Sequence, residues 1–472
     1  MRTDMAVGGR ALFTLLASVQ AALLMAMMVL GVALPEVREA LSLTADELAL
    51  VSAAYPVSFC GLLLLGGRLG DVYGHRAVFG AGCGVFVAGS VGVGVAVGFG
   101  SLVAARFAQG AGAALAAPAA LALAGGLFDD AGARRRAVAL WGALPAAGGA
   151  LGLVAAGPVV AFASWRWVTA VPVLVVTVAL AAVRRLPATR PVAGQRVDVR
   201  GAALVTCGLA ACCYGLIRVT SPSARWTALA LLLAGAVALL GFAALDRRGD
   251  DPLVPLWLFG SAGRLTGLVA LGAGAAGVFS LSYFLPLHLQ QNVGLSPLGT
   301  STAYLPYAAV LLAASAVSGR VTSAWGPRRT ALLGLLTASV GLALLSLIGV
   351  QNTYSAALLA GMLLFPAGVT LLFSAGAVLA LDGVPSSHAG VAGGLLNAAV
   401  ETGPTLGFAA LVSLAAGATA LTGDGQGDAA ALSAGYGTAL AATAVAYLLL
   451  AAVVRPPRRP AQEPVSGPSG SP

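Results

Sequence analysis

Long apolar stretches follow one another along the chain, and the short segments between them carry most of the arginines and acids. A hydrocarbon core of ~30 Å needs about 20 apolar residues per helix. The pattern therefore predicts an all-α membrane protein with fourteen spanning helices. The predicted spans are 11–34, 48–67, 77–98, 101–124, 137–161, 167–183, 200–218, 226–245, 264–286, 299–319, 330–350, 354–380, 391–415 and 433–454.

The composition excludes a soluble or disordered protein. Of 472 residues, 59% are hydrophobic and 9% are charged, whereas a soluble domain has about 25% charged residues. The five cysteines all lie within apolar stretches, and their odd number argues against a disulfide framework or a zinc site. The first apolar run is too long for a signal-peptide core, so we expect it to be retained as a span.

The net charge of +9 comes from 26 basic residues, all of them arginine. In the predicted topology 21 arginines fall on one side, Arg106 lies within a span, and four fall on the other side. That asymmetry predicts that both termini are cytoplasmic in a multi-pass cell-membrane protein. The asymmetry accounts for the basic charge as a topology signal, so we expect no nucleic-acid partner. The expected partner is the lipid bilayer. The four arginines of the other side are Arg38, Arg166, Arg218 and Arg225.

Two turns of the chain are similar in sequence. The turn after the second span, 67–76, reads GRLGDVYGHR, and the turn after the tenth, 319–328, reads GRVTSAWGPR. The shared spacing predicts two six-helix halves, at 1–190 and 261–455, with a two-helix insertion at 191–260 and a disordered cytoplasmic tail at 456–472. Parallel halves of this kind place a substrate site near the midplane of the membrane.

Several short motifs occur in order on these elements, and together they resemble the major facilitator superfamily, specifically its fourteen-helix drug:proton antiporter branch. The resemblance covers nearly the whole chain. It rests on Gly67, Leu69, Asp71, Gly74 and Arg76 in the first turn, Arg106, Gln109 and Gly110 in the fourth span, and Gly148, Gly152 and Gly157 before Trp165-Arg166-Trp167.

The repeated turns are predicted to act as a conformational latch at the cytoplasmic face. We expect Asp71 to pair with nearby arginines and with helix N-terminal amides, and the pairing would break as the halves rock. The alternative is an ordinary charged turn that sets topology. Val72 and His75 replace two basic residues of the family pattern. The predicted latch comprises Gly67, Asp71, Gly74, Arg76, Gly319, Arg320, Gly326 and Arg328.

The glycines of the fifth span are predicted to permit close helix packing, since small residues one turn apart allow backbones to touch. The resemblance implies that Gly148, Gly152 and Gly157 form a motif typical of exporters. The chain departs from that motif at Leu153, where proline is usual, and at Ala156, where glycine is usual. The alternative is generic packing, because a chain with 63 glycines contains such spacings by chance.

Two charges lie within the predicted spans. Arg106 is about five residues, or ~7.5 Å, into its span. The resemblance implies a role for it in proton transfer, and the alternative is snorkelling to the surface.

The family's helix 1 acid is replaced by Ala26. Glu401 is ten residues into its span, ~15 Å deep, where an apolar environment favours the protonated carboxyl. We therefore expect Glu401 to carry the coupled proton; the alternative is a structural, protonated Glu401.

The architecture and composition predict a substrate cavity lined by adaptable side chains, although some of them will face lipid or neighbouring helices. The candidates are Met25, Met27, Met28, Tyr55, Gln109, Tyr283, Tyr304, Tyr307 and Asn397.

The resemblance predicts a monomeric secondary transporter that exports amphipathic or lipophilic drugs by proton antiport. The proton gradient would supply the energy, with no cofactor or metal, because the sequence has no P-loop or metal-ligand spacing. Nor does any nucleophile–base pair suggest an enzyme. Two alternatives stay open: a narrow exporter of one metabolite or antibiotic for self-resistance, and a non-transporting sensor with the same fold.

Overall fold

The computed structural model of the chain describes residues 2–125, 127, 131–187, 198–247, 256–349, 354–384, 389–422 and 429–454. The predicted tail at 456–472 lies outside these residues. The helices are α1 (Arg2–Met28), α2 (Leu30–Ala40), α3 (Ala45–Tyr73), α4 (His75–Gly94), α5 (Phe99–Gly125), α6 (Ala131–Phe162), α7 (Ala170–Ala181), α8 (Val199–Arg218), α9 (Arg225–Asp246), α10 (Ala262–Gln291), α11 (Pro297–Ala303), α12 (Leu305–Trp325), α13 (Pro327–Leu345), α14 (Ala356–Ala380), α15 (Ala389–Thr402), α16 (Phe408–Thr422) and α17 (Ala429–Val453).

The helices confirm the all-α, fourteen-span prediction. Within the described chain, twelve helical stretches are long and apolar enough to cross a membrane, and the shorter apolar stretches Gly148–Phe162 and Trp165–Ala181 occupy the fifth and sixth positions. Many observed helices extend beyond the predicted spans; α3, for example, covers Ala45–Tyr73 where 48–67 was predicted.

Three predicted spans are interrupted rather than continuous. The first is divided at Val29, between α1 and α2, although Val29 keeps helical dihedral angles and donates its N–H to the Met25 carbonyl at 2.8 Å. The tenth breaks at Tyr304, before Pro306, whose ring removes a backbone donor and restricts the preceding residue. The thirteenth contains a π-helical segment, Gly403–Gly407, between α15 and α16, and this segment includes Pro404. Short π-helical segments occur frequently at functional sites.

The two similar turns share one backbone geometry. Gly74 ends α3 with φ 91°, and Gly326 ends α12 with φ 80°. Each glycine donates its N–H to a carbonyl four residues earlier, Gly70 at 2.9 Å and Thr322 at 3.0 Å. The repeat seen in the sequence therefore extends to the conformation of both turns.

The helix pair α8 and α9 lies beside the bundle. Helix α8 packs against both α3 and α16, while α9 packs mainly on α8. Gly61 of α3 allows this approach, because a methyl group there would collide with Thr206. At the turn between α8 and α9, Arg218 lies 3.6 Å from Asp46, which joins the pair to α3. We call α1–α7 the N-terminal half and α10–α17 the C-terminal half; this division stays a prediction.

Two faces of the bundle can be defined by the arginines. Arg38, Arg166, Arg218 and Arg225 all lie at the face where α2, α4 and α8 end, which we call the arginine-poor face. The opposite face, with the turns at Gly74 and Gly326, is the arginine-rich face.

Alanine at Gly74 or Gly326 should lower the free energy of unfolding by about 1–2 kcal/mol, because a side chain at positive φ is strained. The check is the thermal unfolding midpoint of the purified protein in detergent. Gly84→Ala is the matched control, since Gly84 lies within α4 with no heavy atom near the added methyl, and it should leave the midpoint unchanged or raise it. Equal losses in all three variants would contradict this.

Candidate functional site

Arg106 lies in the interior of the N-terminal half, only 1% exposed. Its Nη1 donates to the carbonyl oxygen of Ala26 and to Oε1 of Gln109, both at 3.0 Å. Its Nη2 donates to the carbonyl oxygen of Met27 at 3.5 Å. The guanidinium is thus held by the last turn of α1, where helix carbonyls lack intrahelical donors. The snorkelling alternative is wrong for this conformation.

Two neighbours fix the orientation of Arg106. Gln109 donates from Nε2 to Ser90 Oγ of α4 at 2.8 Å, so its carbonyl oxygen is aimed at the guanidinium. Tyr55 places its ring 4.9 Å from the Arg106 Cζ and donates its hydroxyl to the carbonyl oxygen of Leu23 at 2.8 Å. Gln109 was predicted to line the cavity, but here it is buried between α4 and α5 and positions Arg106 instead.

A cavity lies between the two halves, bordered by α1, α2, α3, α5 and α10, and in this conformation its free space is about that of one water molecule. Of the predicted cavity residues, Met28 and Tyr283 line it. Arg106 also lines it, together with the expected Met27 and with residues that the sequence did not single out, among them Ser52, Phe279 and Ser282. Nothing in the sequence marked Ser52 and Ser282 as cavity residues, since serine is common in these helices.

The other predicted cavity residues lie elsewhere in this conformation. Tyr304 donates its hydroxyl to the carbonyl oxygen of Leu281 at 3.3 Å and packs edge-on against Tyr307 at 5.9 Å, within the C-terminal half. Met25 is buried beside α6, and Tyr55 is buried against α1. Asn397 is exposed. The prediction for these positions is therefore wrong for this cavity.

Glu401 is 9% exposed and lies in the last turn of α15, directly before the π-helical segment. Its carbonyl oxygen accepts from the Thr405 hydroxyl at 3.0 Å. Its Oε2 is buried without a hydrogen-bond partner among the described residues. Tyr55, whose ring lies 4.9 Å from the Arg106 Cζ, also interacts electrostatically with Glu401. These groups come from both halves.

The fifth-span glycines all sit at close helix contacts. A methyl group at Gly148 would collide with the carbonyl oxygen of Ala21, and one at Gly152 with that of Met25, so both glycines pack α6 on α1. A methyl group at Gly157 would collide with Pro297 and Ser301 of α11, in the other half. All three glycines thus permit close helix packing, while their role as an export motif stays a prediction.

The two halves meet along a seam at the arginine-poor face, which consists of α2 and α6 against α10 and α11. Ser301, 2% exposed, accepts from the Gly157 N–H and donates to the Leu153 carbonyl, both at 2.8 Å. Gln290 donates to the carbonyl oxygen of Val32 at 2.7 Å. The seam closes the cavity at this face.

The latch residues lie at the arginine-rich face, and their contacts are longer than the hydrogen bonds of the seam. Asp71 pairs with His75, Oδ1 to Nε2 at 3.5 Å, so the predicted pairing of Asp71 with arginine is not what this conformation shows. Arg76 donates to the carbonyl oxygen of Leu186 at 3.4 Å. Added methyls at Gly67 and Gly319 would meet open space, and Arg320 and Arg328 are exposed. A latched state stays a prediction.

Comparison with known proteins identifies the family. The profile described as Major Facilitator Superfamily matches residues 16–408, with a second match at 268–470. The chain belongs to the Major Facilitator Superfamily. It is 34% identical over 435 residues to a puromycin resistance protein of Streptomyces alboniger, covering 90% of this chain and 86% of that protein. It is 34% identical over 439 residues to a cephamycin export protein of Amycolatopsis lactamdurans, covering 91% and 88%.

Solved structures of the superfamily share the fold. A bacterial homologue of the human lysosomal transporter Spinster, in an inward-facing conformation, has a TM-score of 0.68 at 16% identity, covering 95% of this chain and 96% of that one. The POT family transporter PepTSo has a TM-score of 0.67 at 14% identity, covering 94% and 98%. The chain is thus a multi-pass membrane transporter of small molecules, and superfamily membership confirms the prediction that it is not an enzyme.

In the Ser301→Ala variant, the fraction of molecules with an open seam should increase. Two hydrogen bonds of about 1 kcal/mol each would be lost, a shift of more than tenfold in the open population. The measurement is the labelling rate of Leu34→Cys, a cavity position, by a membrane-impermeant thiol reagent in a background without the native cysteines. Thr302→Ala is the control, because Thr302 is exposed on the same helix. Equal labelling rates in both variants would argue against the seam as a gate.

Proposed function

We propose that this superfamily transporter exports drug-like or antibiotic amphipathic molecules from the cytoplasm by alternating access. The observation that carries the proposal is the cavity between the halves, closed on one face by the hydrogen-bonded seam and bordered by buried Arg106. The names of the puromycin, cephamycin and lincomycin relatives support efflux as the direction of transport.

A narrow exporter of one metabolite or antibiotic is a second candidate. Several relatives are named for a single compound, including the cephamycin export protein and a probable actinorhodin transporter of Streptomyces coelicolor, 33% identical over 420 residues. A panel of compounds distinguishes the two candidates, because a narrow exporter protects against one chemical class and a broad one against several.

The proposed energy source is the proton gradient, with Glu401 as the proton-carrying group. An unpaired carboxyl in an apolar interior defaults to a functional group, since its ionised form is costly there. Ala26 stands where the resemblance places an acid, and its carbonyl oxygen binds Arg106 instead. Glu401 lies where α15 of one half meets α3 of the other, so its protonation state would affect their contact.

The proposed topology places the arginine-rich face in the cytoplasm and the arginine-poor face outside the cell membrane. In that orientation the seam closes the outer side, and the exposed latch residues face the cytoplasm. We expect the protein to act as a monomer.

Expression in an efflux-deficient host should confer resistance to at least one compound of an amphipathic panel, and Glu401→Gln should abolish it. In inverted vesicles, substrate-driven proton release should fall at least tenfold with Glu401→Gln, because an amide cannot release a proton. Glu39→Gln is the control, since Glu39 is an exposed acid at the end of α2. Undiminished proton release in Glu401→Gln would refute the coupling role, and no resistance with any compound would favour a sensor.

A further inference from the structure

The guanidinium of Arg106 is only partly occupied by the protein. It has five N–H donors. Nη1 uses both of its donors on Ala26 and Gln109, while Nη2 makes one long bond of 3.5 Å to Met27. Nε is buried and has no hydrogen-bond partner among the described residues. The occupied side of the guanidinium therefore anchors the side chain, and the Nε side is left for another acceptor.

Nε and the neighbouring Nη2 proton form the edge that binds carboxylates and phosphates through two parallel hydrogen bonds. Lysine cannot reproduce this geometry, because an ammonium is a point charge without a planar fork. The unoccupied edge thus specifies more than a positive charge: it fits an acceptor with two adjacent oxygens.

The cavity beside Arg106 has no compensating negative charge. Within the described part of the chain, no carboxylate lines it, and Glu401 lies outside its lining. The lining hydroxyls donate to their own helices, Ser52 to the Leu48 carbonyl at 3.0 Å and Ser282 to the Phe279 carbonyl at 2.7 Å. A buried cation without a counter-charge is costly, so an anionic ligand would relieve that cost.

The rest of the lining is apolar and adaptable. Met27 and Met28 lie on one side of the cavity, and Phe279 and Tyr283 lie on the other. Flexible thioethers and aromatic rings accommodate irregular apolar bodies. The cavity therefore combines a buried arginine, whose Nε has no hydrogen-bond partner among the described residues, with thioether and aromatic walls.

We propose that the cavity, when rocking of the halves widens it, binds amphipathic acids, with the ligand carboxylate on the Nε edge of Arg106 and the apolar body between the methionines and Phe279. This inference rests on the proposed export function and names the substrate class of its cavity. Such a site would bind amines weakly, because their positive charge is repelled by that of Arg106.

The test compares three fluorescent ligands of nearly equal shape: 1-naphthaleneacetic acid, 1-naphthaleneacetamide and 1-naphthylmethylamine. Each is titrated at pH 7 into the full-length protein in nanodiscs, and empty nanodiscs supply the lipid background. The carboxylate should bind at least tenfold more tightly than the amide, and the amine should bind most weakly. Equal affinities for acid and amide, or preference for the amine, would overturn the proposal; this comparison needs no variant.

Variants locate the preference at Arg106. Arg106→Lys should reduce the acid-to-amide ratio several-fold although the charge is kept, and Arg106→Gln should abolish it. Arg225→Gln is the control, because Arg225 is an exposed arginine at the start of α9. An unchanged ratio in Arg106→Lys, with a thermal midpoint like that of the parent protein, would contradict a bidentate site.

The outcome is separate from that of the export test. If resistance fails while the acid preference holds, the export proposal falls and the binding site remains. If resistance occurs but amines are preferred, export stands and the acidic substrate class is wrong.

Discussion

The burial of one guanidinium in an apolar bundle constrains the surrounding structure. Arg106 requires acceptors at membrane depth, and the backbone carbonyls at the end of α1 supply them. The break at Val29 lies directly beyond those carbonyls, next to the cavity. Gln109 and Tyr55 hold the guanidinium from the other sides. One buried charge thus connects α1, α3 and α5, and its Nε is left without a hydrogen-bond partner among the described residues.

The contact between the halves relies on small residues and on backbone hydrogen bonds rather than on large apolar side chains. Gly157 brings α6 against α11, and Ser301 bonds to two backbone groups of α6, the Gly157 N–H and the Leu153 carbonyl. The contact between the halves therefore depends on the placement of one serine hydroxyl.

Much of the fold follows from the sequence, because apolar length and arginine position are direct consequences of the bilayer. The positive φ of Gly74 and Gly326 was encoded in the repeated glycine. Pro306 and Pro404 were visible signals for two helix interruptions that the hydropathy pattern did not reveal. The division of the first span at Val29 had no comparable signal in the sequence.

The site was less predictable, because side-chain direction decides it. Gln109 and Arg106 lie one turn apart, yet one faces α4 and the other borders the cavity. Ser301 could not be found from sequence, since its role depends on two backbone groups of another helix. Asp71 pairs with His75, four residues later in the chain, and not with the arginines that the sequence led us to expect.

Distances between spin labels test alternating access most directly. Tyr73 and Trp325, exposed at the arginine-rich face, form one pair, and Val97 and Leu347, exposed at the arginine-poor face, form the other. With transported substrate and a proton gradient, the first distance should shorten while the second lengthens. If both distances change in the same direction, or neither changes in a protein that transports, the two halves do not rock about the cavity and the account is wrong.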